Sequence, residues 1–283
     1  MRLELLDGLC RPGGAHNEDI WSATPQAAWI FDGATGIFPH NRFGGASEAA
    51  WLVGISDAIL RRRLTVDDPD RPTAELLEVV AEEAAEAASA ICDLSGVVAH
   101  ELPSASLAMA RLRDDKVELG NLGDCAIVWR PGEGPARRYG TSGVTRLDAR
   151  LAARIAEELA AGRSMEAARA VAMPLIRRHR GLMNRPRGYW IYDLSGAGAA
   201  HVQTRTVGLK PGAELLLMTD GFYRLVDVYG RYDDESLLVA ARRVGLEALY
   251  DELREIEAGD PECCAYPRGK ARDDAAALRL RLA

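Results

Sequence analysis

The sequence has few of the residues that build zinc sites or disulfide frameworks. Its 283 residues include five cysteines and five histidines, and no two cysteines stand at Cys-x-x-Cys spacing. Structural zinc sites usually combine such cysteine pairs with further cysteine or histidine ligands, so none is expected here. An odd and scattered set of cysteines also argues against a disulfide framework. The sequence therefore predicts reduced thiols in an intracellular protein.

Long apolar runs and an excess of positive charge are absent as well. No stretch approaches 18 apolar residues, and residues 1–7 contain acids where a signal peptide would need an apolar core. The net charge of −7 argues against a nucleic-acid partner, which would require a basic face. The hydrophobic content of 48% is enough for a buried core. We expect a cytoplasmic, globular monomer that binds neither nucleic acid nor membranes.

Segments with helical periodicity alternate with short apolar runs. Apolar residues recur every three or four positions in 47–63, 73–91, 147–180 and 235–257, which predicts helices there, with a break at Gly162 and a second segment from Ser164. Apolar runs predict strands at 106–112, 117–120, 126–130, 189–192, 201–206, 214–218 and 276–282, and turn residues join the first three into a meander. The pattern indicates an α+β fold in which antiparallel sheets are covered by helical pairs.

Acidic residues stand at the ends of several of these strand-like runs. The positions are Glu18, Asp19, Asp32, Asp124, Asp220, Asp273 and Asp274. A single Asp-Gly, as at Asp32 or Asp220, is most simply a turn. A set of carboxylates brought together would repel one another unless cations lay between them. Oxygen ligands without histidine or cysteine favour Mg²⁺ or Mn²⁺, and a pair of such ions is typical of phosphoester hydrolysis.

In their order along the chain, these motifs resemble the metal-dependent serine/threonine protein phosphatases of the PP2C type. The matching segments are 17–19, 31–33, 104–106, 120–124, 218–221 and 272–274. The resemblance implies a four-layer α-β-β-α sandwich of two antiparallel sheets flanked by helical pairs. It also implies a single domain over residues 1–283, with a helical flap at about 147–185 beside the active site.

The resemblance further implies the activity and its cofactors. The enzyme would hydrolyse phosphomonoesters, in particular phosphoserine and phosphothreonine in proteins, through a metal-bound hydroxide held by Mn²⁺ or Mg²⁺. Asp32 would bridge two ions, with the Gly33 carbonyl on the second ion. Asp220 and Asp273 would hold the first ion.

Three further acidic positions receive a role only from the resemblance. Glu18 and Asp19 would bind the second ion, largely through water, and act with Asp32 and Asp220 in catalysis. Asp124 would be one ligand of a third, weaker ion. The second ligand of that ion is missing, because Arg224 stands at its position, although Asp227 lies nearby.

The sequence departs from the family at two more positions. Ala34 replaces a histidine that would protonate the leaving group, and His16 and His40 are possible substitutes. The arginine that would bind the substrate phosphate is missing from residues 13–15, and Arg11 is the nearest candidate. These departures leave two alternatives open: a pseudophosphatase that binds a phosphopeptide or a protein partner, and a phosphatase acting on small phosphomonoesters.

Overall fold

The computed structural model describes residues 1–38, 40–66, 70–131, 134–140 and 143–283. The strands are β1 (Leu3–Arg11), β2 (Asp19–Ala23), β3 (Ala27–Gly33), β4 (Ser104–Arg113), β5 (Lys116–Leu122), β6 (Ala126–Trp129), β7 (Arg137–Tyr139), β8 (Tyr192–Asp193), β9 (Gln203–Val207), β10 (Glu214–Met218) and β11 (Ala275–Leu282). The helices are α1 (Glu48–Val66), α2 (Thr73–Ile91), α3 (Gly143–Ala160), α4 (Met165–Arg180), α5 (Asp220–Asp227), α6 (Asp234–Val244) and α7 (Leu246–Gly259).

The strands form two antiparallel sheets. The first sheet has the order β1-β11-β10-β6-β7, so the two ends of the chain pair with each other, Leu3 lying opposite Leu282. The second sheet has the order β2-β3-β4-β5-β9, and β8 adds to β4 at Ser104. Because the backbone of each strand is extended and pleated, its successive side chains alternate between the two faces of the sheet.

This alternation gives each sheet two apolar faces and the molecule four layers. Ile30 of β3 and Leu217 of β10 lie in the core between the sheets. Trp29 points the other way and packs with α1 and α2, whereas Leu216 packs with α5, α6 and α7. The predicted α+β sandwich, with two antiparallel sheets between helical layers, is confirmed.

Helices α3 and α4 form a separate pair outside these layers. Ile155 of α3 and Met165 of α4 share a small apolar cluster with Cys263. Gly162, with φ of +83°, lies between the helices, and Ser164 caps α4 by accepting a hydrogen bond from the amide of Ala167 at 3.3 Å. Among the described residues, no helix is both long and apolar enough to cross a membrane.

The structure corrects four of the predicted elements. The third strand of the expected meander, β6, joins the other sheet and pairs with β10, because the chain turns sharply at Gly123 with φ of +90°. The strand expected at 189–192 is reduced to β8 and a single bridge at Tyr189. The strand expected at 201–206 begins only after a 3₁₀ turn that ends at His201. The helix expected at 235–257 is divided by Gly245 into α6 and α7.

The core between the sheets predicts a clear stability difference between two truncations. Leu280 of β11 is fully buried in that core, whereas Val239 of α6 is 46% exposed. We expect Leu280→Ala to lower the free energy of unfolding by about 2–5 kcal/mol, because it leaves a cavity. Val239→Ala should change it by less than about 0.5 kcal/mol. Urea unfolding of both variants checks this, and equal losses would contradict the layer arrangement.

Candidate active site

The acidic residues meet at one end of the two sheets. Asp19 at the start of β2 lies opposite Asp32 near the end of β3, and Asp32 lies opposite Ser106 of β4. In the other sheet, Met218 at the end of β10 lies beside both Ala126 and Ala277. The turn that carries Asp124 and the residues Asp220 and Asp273 therefore leave the first sheet at the same end as Asp19 and Asp32.

Hydrogen bonds connect the two sheets at this end. The Thr219 hydroxyl donates to Asp19 Oδ2 at 2.9 Å, and the Asp220 amide donates to Asp32 Oδ2 at 3.4 Å. The Ser106 hydroxyl donates to Asp124 Oδ1 at 2.5 Å. The structure thus brings together four carboxylates that are up to 201 positions apart in the sequence, those of Asp19, Asp32, Asp124 and Asp220.

Burial and mutual repulsion act on these carboxylates together. Burial is the largest cause that raises the pKa of Asp32, and the negative charges of Asp19 and Asp220 raise it further. Burial likewise raises the pKa of Asp124 to about 7, with Asp220 adding to the effect. For Asp220, burial and the neighbouring Asp273 outweigh the cations nearby, and its pKa also lies above the ordinary value. The cluster therefore favours any cation that enters it.

Asp273 has the opposite electrostatic environment. Lys270 Nζ lies 2.9 Å from Asp273 Oδ1, and the Arg224 guanidinium lies 2.7 Å from Oδ2. Burial would raise the pKa of Asp273, but these two cations hold it below the ordinary value. Arg224 itself is buried and also contacts Glu257 at 3.4 Å. Both oxygens of Asp273 are thus paired with cations of the protein.

Glu18 is held by two hydroxyl groups, one of which also contacts Lys270. Its two oxygens accept hydrogen bonds from Thr35 and Ser47, each at 2.5 Å, and Lys270 Nζ donates to the Thr35 hydroxyl at 2.8 Å. The Glu18 carbonyl accepts a hydrogen bond from the Gly33 amide at 3.0 Å. A Cβ atom at position 33 would lie 2.5 Å from that carbonyl oxygen, so only glycine permits this approach.

A cavity of about 450 Å³ opens next to these residues. Glu18, Thr35, Lys270 and Asp273 are among the residues that line it. The remaining basic lining residues are His16, His40, Arg169, Arg180 and Arg272. Glu48, Glu101 and Asp274 line the cavity as well. The lysine and the three arginines of the lining give an anionic ligand positive partners close to the carboxylate cluster.

The chemistry of the donor set fits hard divalent cations. The buried donors are carboxylates, with neither histidine nor thiolate among them, and burial, together with one another's negative charge, raises their pKa values. Across the parts of the chain that the structure describes, no three acidic, histidine or cysteine side chains already stand at metal-ligand spacing. The oxygens of Glu18, Asp19 and Asp273 contact hydroxyl groups or protein cations instead.

One predicted position lies away from these contacts, and the most informative residue was missed. The Arg11 guanidinium pairs with Glu247 at 3.2 Å on the exposed surface, and Arg11 is not among the described residues that line the cavity. Asp227 lies at the end of α5, where burial and the charge of Asp220 raise its pKa to about 6. Lys270 was not predicted as a site residue. Its only sequence signal is its place three residues before Asp273, a spacing that lets the two side chains meet.

Comparisons with known proteins give one family. The sequence pattern described as protein phosphatase 2C matches residues 10–254. No curated protein sequence matches the chain.

Several solved structures share the fold. The serine/threonine phosphatase PstP/Ppp of Mycobacterium tuberculosis is 15% identical with a TM-score of 0.58, and the match covers 100% of this chain and 99% of that one. A structure of the PstP catalytic domain in complex with two manganese ions is 16% identical, with a TM-score of 0.55 and coverage of 99% and 98%. PppA, a regulatory component of the T6SS in Pseudomonas aeruginosa, is 15% identical, with a TM-score of 0.57 and the same coverage.

At these identities the likeness to solved structures concerns the fold. The match to the sequence pattern extends over most of the chain and includes Glu18, Asp19, Asp32, Asp124 and Asp220, although Asp273 lies beyond it. The chain belongs to the protein phosphatase 2C family.

Proposed function

We propose that this chain is a metal-dependent protein serine/threonine phosphatase. The observation that carries the proposal is the cluster of buried carboxylates at the joined ends of both sheets, beside a cavity with basic walls, in a member of the protein phosphatase 2C family. The intact set of Asp32, Asp220 and Asp273 disfavours a pseudophosphatase, because a module that only bound a partner would not need to bury mutually repelling carboxylates.

The proposal assigns the acidic residues to two Mn²⁺ or Mg²⁺ ions. Asp220 and Asp273 would hold the first ion, Asp32 would bridge both ions, and Gly33, Glu18 and Asp19 would hold the second. When bound, such ions would activate water and offset the charge that develops on the phosphoryl oxygens. The hydrogen bonds from Thr219 to Asp19 and from Thr35 and Ser47 to Glu18 fix the orientation of these carboxylates.

A third ion is not part of the proposal. Asp124 would be one of its ligands, but the opposite position carries the buried guanidinium of Arg224, which already neutralises Asp273. A fixed positive charge beside Asp220 and Asp273 repels a further cation. We therefore propose two ions.

The proposed substrate is a phosphorylated protein. The cavity of about 450 Å³ is roomy for a phosphorylated side chain, and its wall carries Arg169 and Arg180 of α4. We propose that α3 and α4 act as a flap that shapes this entrance, within a single domain over residues 1–283. We also propose that the protein acts as a monomer in the cytoplasm, where its five free cysteines would stay reduced.

Removing one proposed ligand should abolish the metal-dependent activity. Asp220→Asn keeps the shape of the side chain but removes an anionic ligand, so hydrolysis of p-nitrophenyl phosphate with Mn²⁺ should fall at least about 100-fold. EDTA should abolish the activity of the unmodified protein. Asp251→Asn, the same change on the exposed face of α7, is the matched control and should leave the rate unchanged. A folded Asp220→Asn variant that kept most of its rate would contradict the assignment.

Mn²⁺ should stabilise the protein more at about pH 8 than at about pH 5.5. Without metal, the pKa of Asp124 is about 7, and those of Asp32 and Asp220 are also raised above 3.8. Because these pKa values are higher in the folded protein than in the unfolded chain, protonation favours the folded state fully below about pH 4. This contribution to the free energy of unfolding is lost as the pH rises through about 7. Protons also compete with the metal for the carboxylates. Melting temperatures with EDTA and with saturating Mn²⁺ check this, and a shift independent of pH would contradict it.

The alanine at position 34 should make the rate depend strongly on the leaving group. Ala34 lines the cavity and supplies no proton, and a general acid contributes roughly 10²–10⁴-fold for a poor leaving group. We expect phosphoserine peptides to be hydrolysed disproportionately slowly compared with p-nitrophenyl phosphate. Ala34→His should narrow this gap by raising kcat on the peptide. An unchanged ratio would mean that another group, such as His16 or His40, already donates the proton.

The same two substrates test the alternatives. Turnover of small phosphomonoesters by the unmodified protein and by Ala34→His, with no turnover of any phosphopeptide, would favour a small-molecule phosphatase. No turnover of either substrate by folded, Mn²⁺-loaded protein would favour a pseudophosphatase.

A further inference from the structure

A phosphatase site requires a cation that holds the substrate phosphate, and the segment before Glu18 supplies neither a lysine nor an arginine for this. Arg11 pairs with Glu247 at 3.2 Å, and its side chain is 49% exposed outside the cavity. Residues 13–15 are two glycines and an alanine, which have no side-chain donors. A dianionic phosphate next to a carboxylate cluster needs positive charge nearby. That charge must therefore come from another segment.

Lys270 is the cation that lies between the carboxylates and the cavity. It lines the cavity together with Thr35 and Asp273, and a third of its side chain (34%) is exposed there. An ammonium group has three donors. Two of them contact Thr35 and Asp273, and no contact within the described residues takes the third. One donor is thus free for a ligand in the cavity.

The other basic groups of the wall are placed differently. Arg180 donates to the carbonyls of His100 and Leu102 at 3.3 and 3.2 Å, which anchors its guanidinium to the segment before β4. Arg169 donates to the Gly269 carbonyl. Arg272 is exposed. Of these side chains, Lys270 is the one with contacts to both Asp273 and the hydroxyl that binds Glu18.

We propose that Lys270 binds the substrate phosphate and so replaces the missing arginine of the segment before Glu18. The inference rests on the proposed function. One phosphate oxygen would accept a hydrogen bond from the free N–H of Lys270. A second phosphate oxygen would replace Asp273 as the acceptor of another N–H, once a divalent cation binds that carboxylate. The Thr35 hydroxyl keeps the ammonium group directed at the cavity throughout.

Equilibrium binding of inorganic phosphate, measured by calorimetry with saturating Mg²⁺, tests the proposal without turnover. Lys270→Met keeps the length of the side chain and removes its charge, so phosphate affinity should fall roughly 10- to 100-fold. Lys270→Arg should recover most of the loss. Lys116→Met is the matched control, because Lys116 is exposed at the start of β5, and it should bind phosphate like the unmodified protein. Mg²⁺ affinity, measured separately, should not fall in Lys270→Met.

Each result decides the question. Unchanged phosphate affinity in Lys270→Met would overturn the proposal, as would a parallel loss of Mg²⁺ binding, since the lysine would then act through the metal site. If Lys270→Met does not fold, Lys270→Gln, which retains a donor for Asp273, gives the same comparison. Phosphate binding that depends on Lys270 in a protein that hydrolyses no phosphoester would support this inference and refute the proposed function. Absence of phosphate binding by the unmodified protein would overturn the inference.

Discussion

Mutual repulsion among carboxylates buried between the ends of two sheets is the constraint on which this site depends. Transferring even one charge out of water is costly unless it is paired. The fold brings Asp19, Asp32, Asp124 and Asp220 together through backbone register, so separation cannot relieve the repulsion. The remaining ways of lowering the cost are protonation, which the raised pKa values of Asp19 and Asp32 favour, and the hydroxyl donors and cations that contact the carboxylates in the structure. The packing of the sheets thus concentrates negative charge that a divalent ion would neutralise.

The charge is balanced unevenly across the site. Asp273 is paired with Lys270 and Arg224 and keeps a lowered pKa, whereas Asp32, Asp124 and Asp220 have raised values. The lowered pKa of Asp273 makes it an anionic ligand for a metal. The metal must, however, displace one of the protein cations that contact this carboxylate. The other carboxylates hold their protons to a higher pH than an ordinary aspartate, because burial and neighbouring negative charges raise their pKa values, so a metal must compete with protons for them. Metal binding is therefore coupled both to proton release and to the position of Lys270.

Features that depend on local pattern were predictable, and features that depend on contacts distant in sequence were not. The strand at Glu214–Met218 and the acidic residues at strand ends could be predicted from apolar runs and from the turn residues that flank them. The sheet to which β6 belongs could not, because its apolar run is equally suited to either sheet. The pairing of Arg224 with Asp273 joins residues 49 positions apart, and Arg11 is drawn to Glu247 across 236 positions. No periodicity encodes such contacts.

The departures of this chain from its family share a pattern in their charges. Neither residues 13–15 nor position 34 supplies the arginine or the histidine of the family, and positive groups stand instead at Arg224 of α5 and at Lys270 in the segment before β11. The cluster therefore still contacts cations, through Asp273. Stabilisation of a phosphate depends on the summed electrostatic field at its oxygen atoms. A positive group can therefore come from a different position in the chain, provided that its donors still reach the same oxygen atoms. Loss of a familiar residue at one position is thus weak evidence against activity when the structure restores its charge at another.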